Sequence, residues 1–152
     1  RLGGSAGPRH RFTATTMSCD DAPPGRPAHR PNRIGSALST LEKTADGKIA
    51  WIHVTRDMFD EAGAEYEDGD GLLELVRPVR GVEICIIFKE DSGGDIKVSM
   101  RSNGTVDAFA IAKLHGGGGH RLAAGMTIEG PIQKAIARTV AECSEVVKRT
   151  KF

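Results

Sequence analysis

The sequence predicts an α/β domain of the α+β kind: a single mixed β-sheet packed with helices, a long C-terminal helix and a disordered N-terminal segment. Three observations predict it. Strand-like runs, 49–55 and 82–88 with β-branched residues and 96–102 by alternation, are interleaved with helical patterns and turn signals. A stripe of apolar and small residues at helical spacing runs from Ile132 to Val147. Residues 1–32 show no apolar periodicity and are rich in Gly, Pro, Arg, Ser and Thr.

Taken in order, residues 1–33 read as a disordered leader or linker with no family match, and residues 34–152 as the folded domain. Asp20-Asp21-Ala22-Pro23-Pro24-Gly25-Arg26-Pro27 neither continues a helix nor sits in a central strand. The leader is Arg-rich and poor in acids, which suits a transit peptide, a translated non-native leader, or an upstream stretch before an internal start at Met17. Order begins near Ile34, with an apolar helical turn from Ser36 to Leu41. Asp46-Gly47 marks a turn. Ile49 to Thr55 alternates, with Ile49, Trp51 and His53 on one side and Ala50, Ile52 and Val54 on the other. Thr55 is suited to cap a helix from Arg56 to Ala62 that Gly63 closes. A second helix is expected from Glu67 to Val76, ended by Pro78.

Val82 to Phe88 and Ile96 to Ser102 should form an antiparallel hairpin across the turn Ser92-Gly93-Gly94-Asp95. In the second strand Ile96, Val98 and Met100 take one face, and Lys97, Ser99 and Arg101 the other. A helix follows from Val106 to Leu114, which Asp107 can cap. Four glycines then lead into Leu122, Ala123 and Ala124, read as helix-compatible. Met126 to Ile128 is a short strand, and Pro131 opens the final helix.

The chain has 152 residues, enough for one domain with a real core, and a formal net charge of +1. Residues 1–33 hold six Arg against Asp20 and Asp21, about +4, which leaves about −3 for the rest. A uniformly basic nucleic-acid-binding surface is thereby excluded from the folded part, so any such binding is local. Cys19, Cys85 and Cys143 lack the spacing of a zinc site or a disulfide framework. Cys85 and Cys143 read as buried small hydrophobes in a reducing, cytoplasmic setting. No apolar run approaches the ~18 residues of a membrane span.

The Gly116-Gly117-Gly118-Gly119-His120 run is the principal motif. Each glycine loses more backbone entropy on ordering than any other residue, so four in a row are costly. The run is either a flexible connector or an anion loop, with His120 at a helix N-terminus that offers free N–H groups. It is neither a Walker A loop nor a dinucleotide fingerprint. His120 is suited to hold a phosphate or stack on a base, or it is a solvated or capping residue. His115 and His120 have no third ligand nearby and are rejected as a metal pair. Arg101, in Arg101-Ser102-Asn103-Gly104, either grips a phosphate or pairs with an acid such as Asp107. No nucleophile–base pair or metal cluster stands out, so no catalytic or metal-ligating residue is assigned in this chain.

Val98-Ser99-Met100-Arg101-Ser102, Val106-Asp107, Ile111-Ala112, Gly116-Gly117-Gly118-Gly119-His120, Ala123-Ala124-Gly125 and Ile128 resemble, in order and spacing, the C-terminal DHH-associated domain of DHH-family phosphoesterases. Leu38-Ser39-Thr40-Leu41, Ile49-Ala50-Trp51-Ile52 and Gly81-Val82-Glu83 are similar to the subgroup of nano-RNases, oligoribonucleases that also act on phosphoadenosine phosphate. The resemblance runs from about Ile34 to Val147. It implies a two-domain enzyme whose N-terminal domain carries an Asp-His-His motif and two divalent metals, usually manganese. The C-terminal domain then holds the nucleotide. By resemblance, Arg101 and Ser102 contact the substrate, Gly117, Gly118 and Gly119 cradle phosphate, and His120 contacts base or phosphate. Ala123 and Ala124 are expected only to let a helix pack closely. The metal-bearing domain does not occur in these 152 residues. The expectation is therefore that the chain needs no cofactor of its own, and binds short RNA or DNA oligonucleotides or nucleoside bisphosphates without hydrolysing them. The other readings are a stand-alone nucleic-acid-binding module and a self-association module, a homodimer, with no hydrolase role. No membrane partner is expected.

Overall fold

The structure, a computed structural model, describes residues 35–150. The expected leader, its boundary with the domain, and Cys19 lie outside the described residues. One six-stranded mixed sheet forms the centre, in the order β1-β2-β3-β4-β6-β5. The strands are β1 (Glu42–Lys43), β2 (Ile49–Val54), β3 (Ile84–Glu90), β4 (Asp95–Ser102), β5 (Gly118–His120) and β6 (Ala123–Glu129). Only β2 and β3 run parallel; every other neighbouring pair is antiparallel.

Helices cover both faces of the sheet at β2 and β3. On one side lie α1 (Gly35–Leu38), α2 (Arg56–Ala62) and α3 (Leu72–Val76), packed on Ala50, Ile52, Val54, Cys85 and Ile87. On the other lie α4 (Ala108–Lys113) and the long α5 (Ile132–Arg149), packed on Ile49, Trp51, Ile86, Phe88, Val98 and Met100. The alternation expected in β2 is therefore real but does not divide core from solvent. A strand crossed over to a parallel neighbour is buried on both faces, and its two residue sets enter two different cores.

The caps at both ends of α2 are as the sequence predicts. The Met58 N–H donates to Thr55 Oγ1 at 3.3 Å, and Gly63 closes the helix in the left-handed region at φ +56°. The helix expected over Glu67–Val76 instead splits into a 3₁₀ turn, Tyr66–Gly69, and α3. Glu65 and Asp68 cap the turn reciprocally, and the Glu65 N–H donates to Asp68 Oδ2 at 2.8 Å. Gly69 lies so close to Lys89 and Phe59 that a Cβ there would meet Lys89 Cδ at 2.9 Å, so tertiary packing breaks the periodic run.

The β3–β4 hairpin forms with the expected faces: Ile96, Val98 and Met100 are buried, while Lys97, Ser99 and Arg101 take the opposite side. Asp91 Oδ1 ties its turn, accepting from the Gly93 and Asp95 N–H groups at 2.8 and 3.1 Å. β3 starts two residues later than expected, because the Val82 N–H donates to Val79 O in a turn. Asp107 caps α4, accepting from the Ala110 N–H at 3.0 Å.

The glycine run differs most from expectation. No helix begins at His120. Gly118–His120 is a strand, paired antiparallel with Ala123–Glu129 across the turn Arg121-Leu122. Ala123 and Ala124 are strand residues; Ala124 is buried in the cluster that α4 packs into, and Ala123 faces the other side. The physical reason is close backbone approach. A Cβ at Gly117 would stand 2.3 Å from Gly125 O and 2.9 Å from Ala112 O; at Gly119, 2.5 Å from Ala123 O. The final helix holds its expected face, with Ile132, Ala135, Thr139, Cys143 and Val147 buried. Cys85 and Cys143 are buried free thiols; burial pushes them up to about 11 and about 12.

Candidate functional site

Beyond the reach of α2 and α3, the sheet face carried by β4, β6 and β5 has no described helix over it. Strand pairing decides what stands there, because residues directly opposite in an antiparallel pair share a face. Arg101 pairs with Ala123 and Ala123 with His120, so the three form one row across three strands. Ser99, Gly125 and Gly118 form the next row, and Lys97 with Thr127 the one after. Two strand spacings of about 4.8 Å put the Arg101 and His120 backbones about 10 Å apart, with only a methyl group between them. The neighbouring row offers a hydroxyl and two bare backbones. The result is a trough floored by Ala123, Gly125 and Gly118, with Arg101 and His120 at its sides. A cleft of about 380 Å³ at its Lys97 end is lined by Ser99, Gly116, Gly117 and Thr127 as well.

Arg101 is one-third exposed, and its guanidinium is already oriented. Nη1 donates to its neighbour Met100 O at 3.0 Å, and Nε lies 3.7 Å from Glu74 Oε1. Arg77 approaches the other oxygen of Glu74 at 3.5 Å, so two cations share one acid at the rim. The expected ion-pair partner, Asp107, is occupied with its helix cap. A guanidinium has five N–H donors, so Arg101 keeps spare ones for an anion.

The remaining site residues separate. Ser102 points to the opposite side: it is buried, and its Oγ accepts from the Gly104 N–H at 3.2 Å. Its own N–H donates to Leu122 O. The Gly117 N–H donates to Ala112 O at 2.9 Å, so that amide is already used inside the fold. Gly118, Gly119 and His120 belong to the edge strand, where alternate amides face outward with no strand partner. His120 is exposed.

Three trough residues were given no site role by the sequence: Ser99 and Gly125, which stand within the motif, and Thr127, which does not. The alternation of β4 placed Ser99 beside Arg101, but Gly125 and Thr127 needed the β4–β6 register. His115 also differs from a free ligand: its side chain is 6% exposed, and Nε2 lies 2.6 Å from Glu142 Oε2. Among the described residues no group of three or more His, Cys, Asp or Glu is placed to hold a metal. No helix among them is long and apolar enough to cross a membrane.

Comparison with known proteins gives a consistent picture. The bifunctional oligoribonuclease and PAP phosphatase NrnA of Thermus thermophilus is 36% identical over 120 residues, which cover 78% of this chain and 35% of that protein. The chain thus spans about a third of the length of this relative. An exopolyphosphatase-related protein of Bacteroides fragilis superposes with a TM-score of 0.68 at 24% identity, over 74% of this chain and 33% of that one. A pGpG-specific phosphodiesterase, PggH of Vibrio cholerae, has the same fold with a TM-score of 0.52 at 14% identity, over 76% and 37%. The DHHA1 domain model matches residues 52–149, a segment that contains every row of the trough. The chain belongs to the DHHA1 domain family.

Proposed function

We propose that this domain holds a short oligonucleotide or nucleoside bisphosphate in the trough, for hydrolysis by a metal-bearing DHH domain. One observation carries the reading: Arg101 and His120 flank a floor with no side chain larger than a methyl. A planar guanidinium on one side suits a phosphate. The imidazole on the other suits a second phosphate or a stacked base. The bare backbone between them lets a flat, charged ligand approach the sheet. The outward amides of Gly118–His120 add donors along the edge, while Gly117 acts as the packing spacer that holds this strand against α4. Ser102 supports the loop behind Arg101 and does not touch the ligand. The relative's activity on oligoribonucleotides and PAP supports this ligand class, and so does the acidic balance outside the leader, which disfavours long polyanions.

By resemblance, the cutting step is assigned to the DHH domain and not to these residues. The metal, manganese by resemblance, then belongs to the DHH domain, and the setting is cytoplasmic. The test is a titration of the purified chain with a 5′-phosphorylated dinucleotide. Arg101→Ala and His120→Ala should each weaken binding about tenfold, the loss of about 1.4 kcal/mol expected for a charge-assisted contact. Affinity unchanged from that of the unaltered chain in both variants would favour the self-association reading instead. Release of mononucleotide by the chain with manganese alone would overturn the division of labour.

A further inference from the structure

The glycine run is preceded by a residue that stands outside the rows of the trough but walls the cleft at its end. His115 follows α4 and immediately precedes Gly116, and its ring is almost wholly enclosed, with the side chain 6% exposed. Its Nε2 donates to Glu142 Oε2 at 2.6 Å. The other carboxylate oxygen of Glu142 accepts from Arg138 Nε at 3.2 Å, one turn earlier on α5. Glu142 is thus engaged at both oxygens, by one residue of its own helix and one of the segment that leads into the glycines. The backbone follows suit: the His115 and Gly117 N–H groups both donate to Ala112 O, at 3.0 and 2.9 Å. His115 also walls two adjoining clefts, the one of about 380 Å³ at the trough and one of about 310 Å³ beside Thr127, Lys134 and Arg138.

We propose that His115, held by Glu142 of α5, is a positioning residue that sets where the Gly118–His120 strand stands on the sheet edge, and so sets the trough for its ligand. The inference rests on the trough being the ligand site. Its chemistry is that of a buried charge-assisted hydrogen bond. A run of four glycines has little side-chain packing to fix it, so its position rests on its backbone pairing with β6 and on its two ends. One end is the β-turn into Ala123; the other is His115. The enclosed imidazole has one strong acceptor, and the carboxylate gives that acceptor a single direction. Losing it frees the start of the strand while leaving the β2–β3–β4 core intact. The same helix that buries Cys143 and Val147 therefore also reaches the ligand face through one hydrogen bond.

The experiment compares Glu142→Ala, Glu142→Gln and Glu145→Ala with the unaltered chain, by amide hydrogen exchange and by titration with a 5′-phosphorylated dinucleotide. Glu145 lies on α5, pairs with Lys148 among the described residues, and controls for the change in charge. In Glu142→Ala, exchange at Gly118, whose N–H turns toward β6, should rise about tenfold while exchange at Ile86 in the core keeps its rate. Affinity should fall about tenfold. Glu142→Gln retains an oxygen acceptor for His115, so it should restore both readouts to within about threefold. Glu145→Ala should match the unaltered chain. Unchanged glycine exchange in Glu142→Ala, or an equal rise at Ile86, overturns the positioning role whatever the ligand. Unchanged affinity in Glu142→Ala overturns it as well. If the unaltered chain fails to bind the dinucleotide, the trough reading fails, and the exchange data still decide on the tether.

Discussion

Adding one methyl group at Gly117 and one at Gly118 should have opposite consequences, although the two residues are adjacent and identical. At Gly117 a Cβ would meet Gly125 O at 2.3 Å, Met126 Cβ at 2.7 Å and Ala112 O at 2.9 Å. Two of these atoms are main-chain carbonyls that no rotamer change can move. The strand must shift away from β6 or α4, which costs about 1–3 kcal/mol as overpacking. The shift also strains the Gly117 N–H···O Ala112 bond, about 1 kcal/mol more. Gly117→Ala should therefore lose roughly 2–4 kcal/mol, a large share of the 5–15 kcal/mol typical of a domain. At Gly118 nothing lies within 4 Å of a Cβ and the backbone is not in the left-handed region. Gly118→Ala should be neutral, or gain about 0.4–1 kcal/mol from a stiffer unfolded chain. Its methyl nevertheless stands on the trough floor, so dinucleotide affinity should drop about tenfold. Urea unfolding with unchanged slope, followed by titration of the folded variants, reads both effects. Equal stability loss at the two positions would refute the placement of Gly118–His120 as an edge strand. Full affinity in Gly118→Ala would refute the trough.

Three further outcomes follow from the same geometry. Ala123→Leu fills the gap between Arg101 and His120. It should abolish measurable dinucleotide binding in a fluorescence titration while the unfolding midpoint moves little, since the side chain faces away from the packed core. Ser102→Ala removes a buried acceptor from the Gly104 N–H and should cost about 1 kcal/mol in urea unfolding, yet leave affinity unchanged once the protein is folded. Burial, with Glu142 adding a smaller push, raises the Cys143 thiol from an ordinary 9.0 to about 12. The folded state then holds its proton more tightly than the unfolded state does. Stability is full below about pH 9 and falls as pH climbs toward 12, by at most about 1.4 kcal/mol per pH unit for this thiol. Unfolding midpoints from pH 8 to 10.5 should decline less steeply in Cys143→Ala; an identical decline would refute the assignment.

Local chemistry made much of the fold legible. Thr55 and Asp107 cap helices because a short oxygen-bearing side chain can reach the N–H groups of the next turn, and that needs no tertiary partner. The faces of β4 and of α5 follow from fixed periodicity against an apolar core. The helix expected over Glu67–Val76 failed for the converse reason. Its periodicity was continuous, but Gly69 had to pass beside Phe59 and Lys89, residues distant in sequence. Strand alternation turns Ser102 onto the buried face, away from Arg101.

By itself the sequence determined the family, the presence of one mixed sheet, and the candidate pair Arg101 and His120, because each of these is written in residue type and spacing. Only the tertiary structure decided that the glycines pair as a strand. It also decided that Ala123 lies between Arg101 and His120, and that Glu142 holds His115. Glycine carries no side chain to bias helix against strand. What the run becomes is set by the carbonyls of Ala112, Ala123 and Gly125, which leave room for nothing larger.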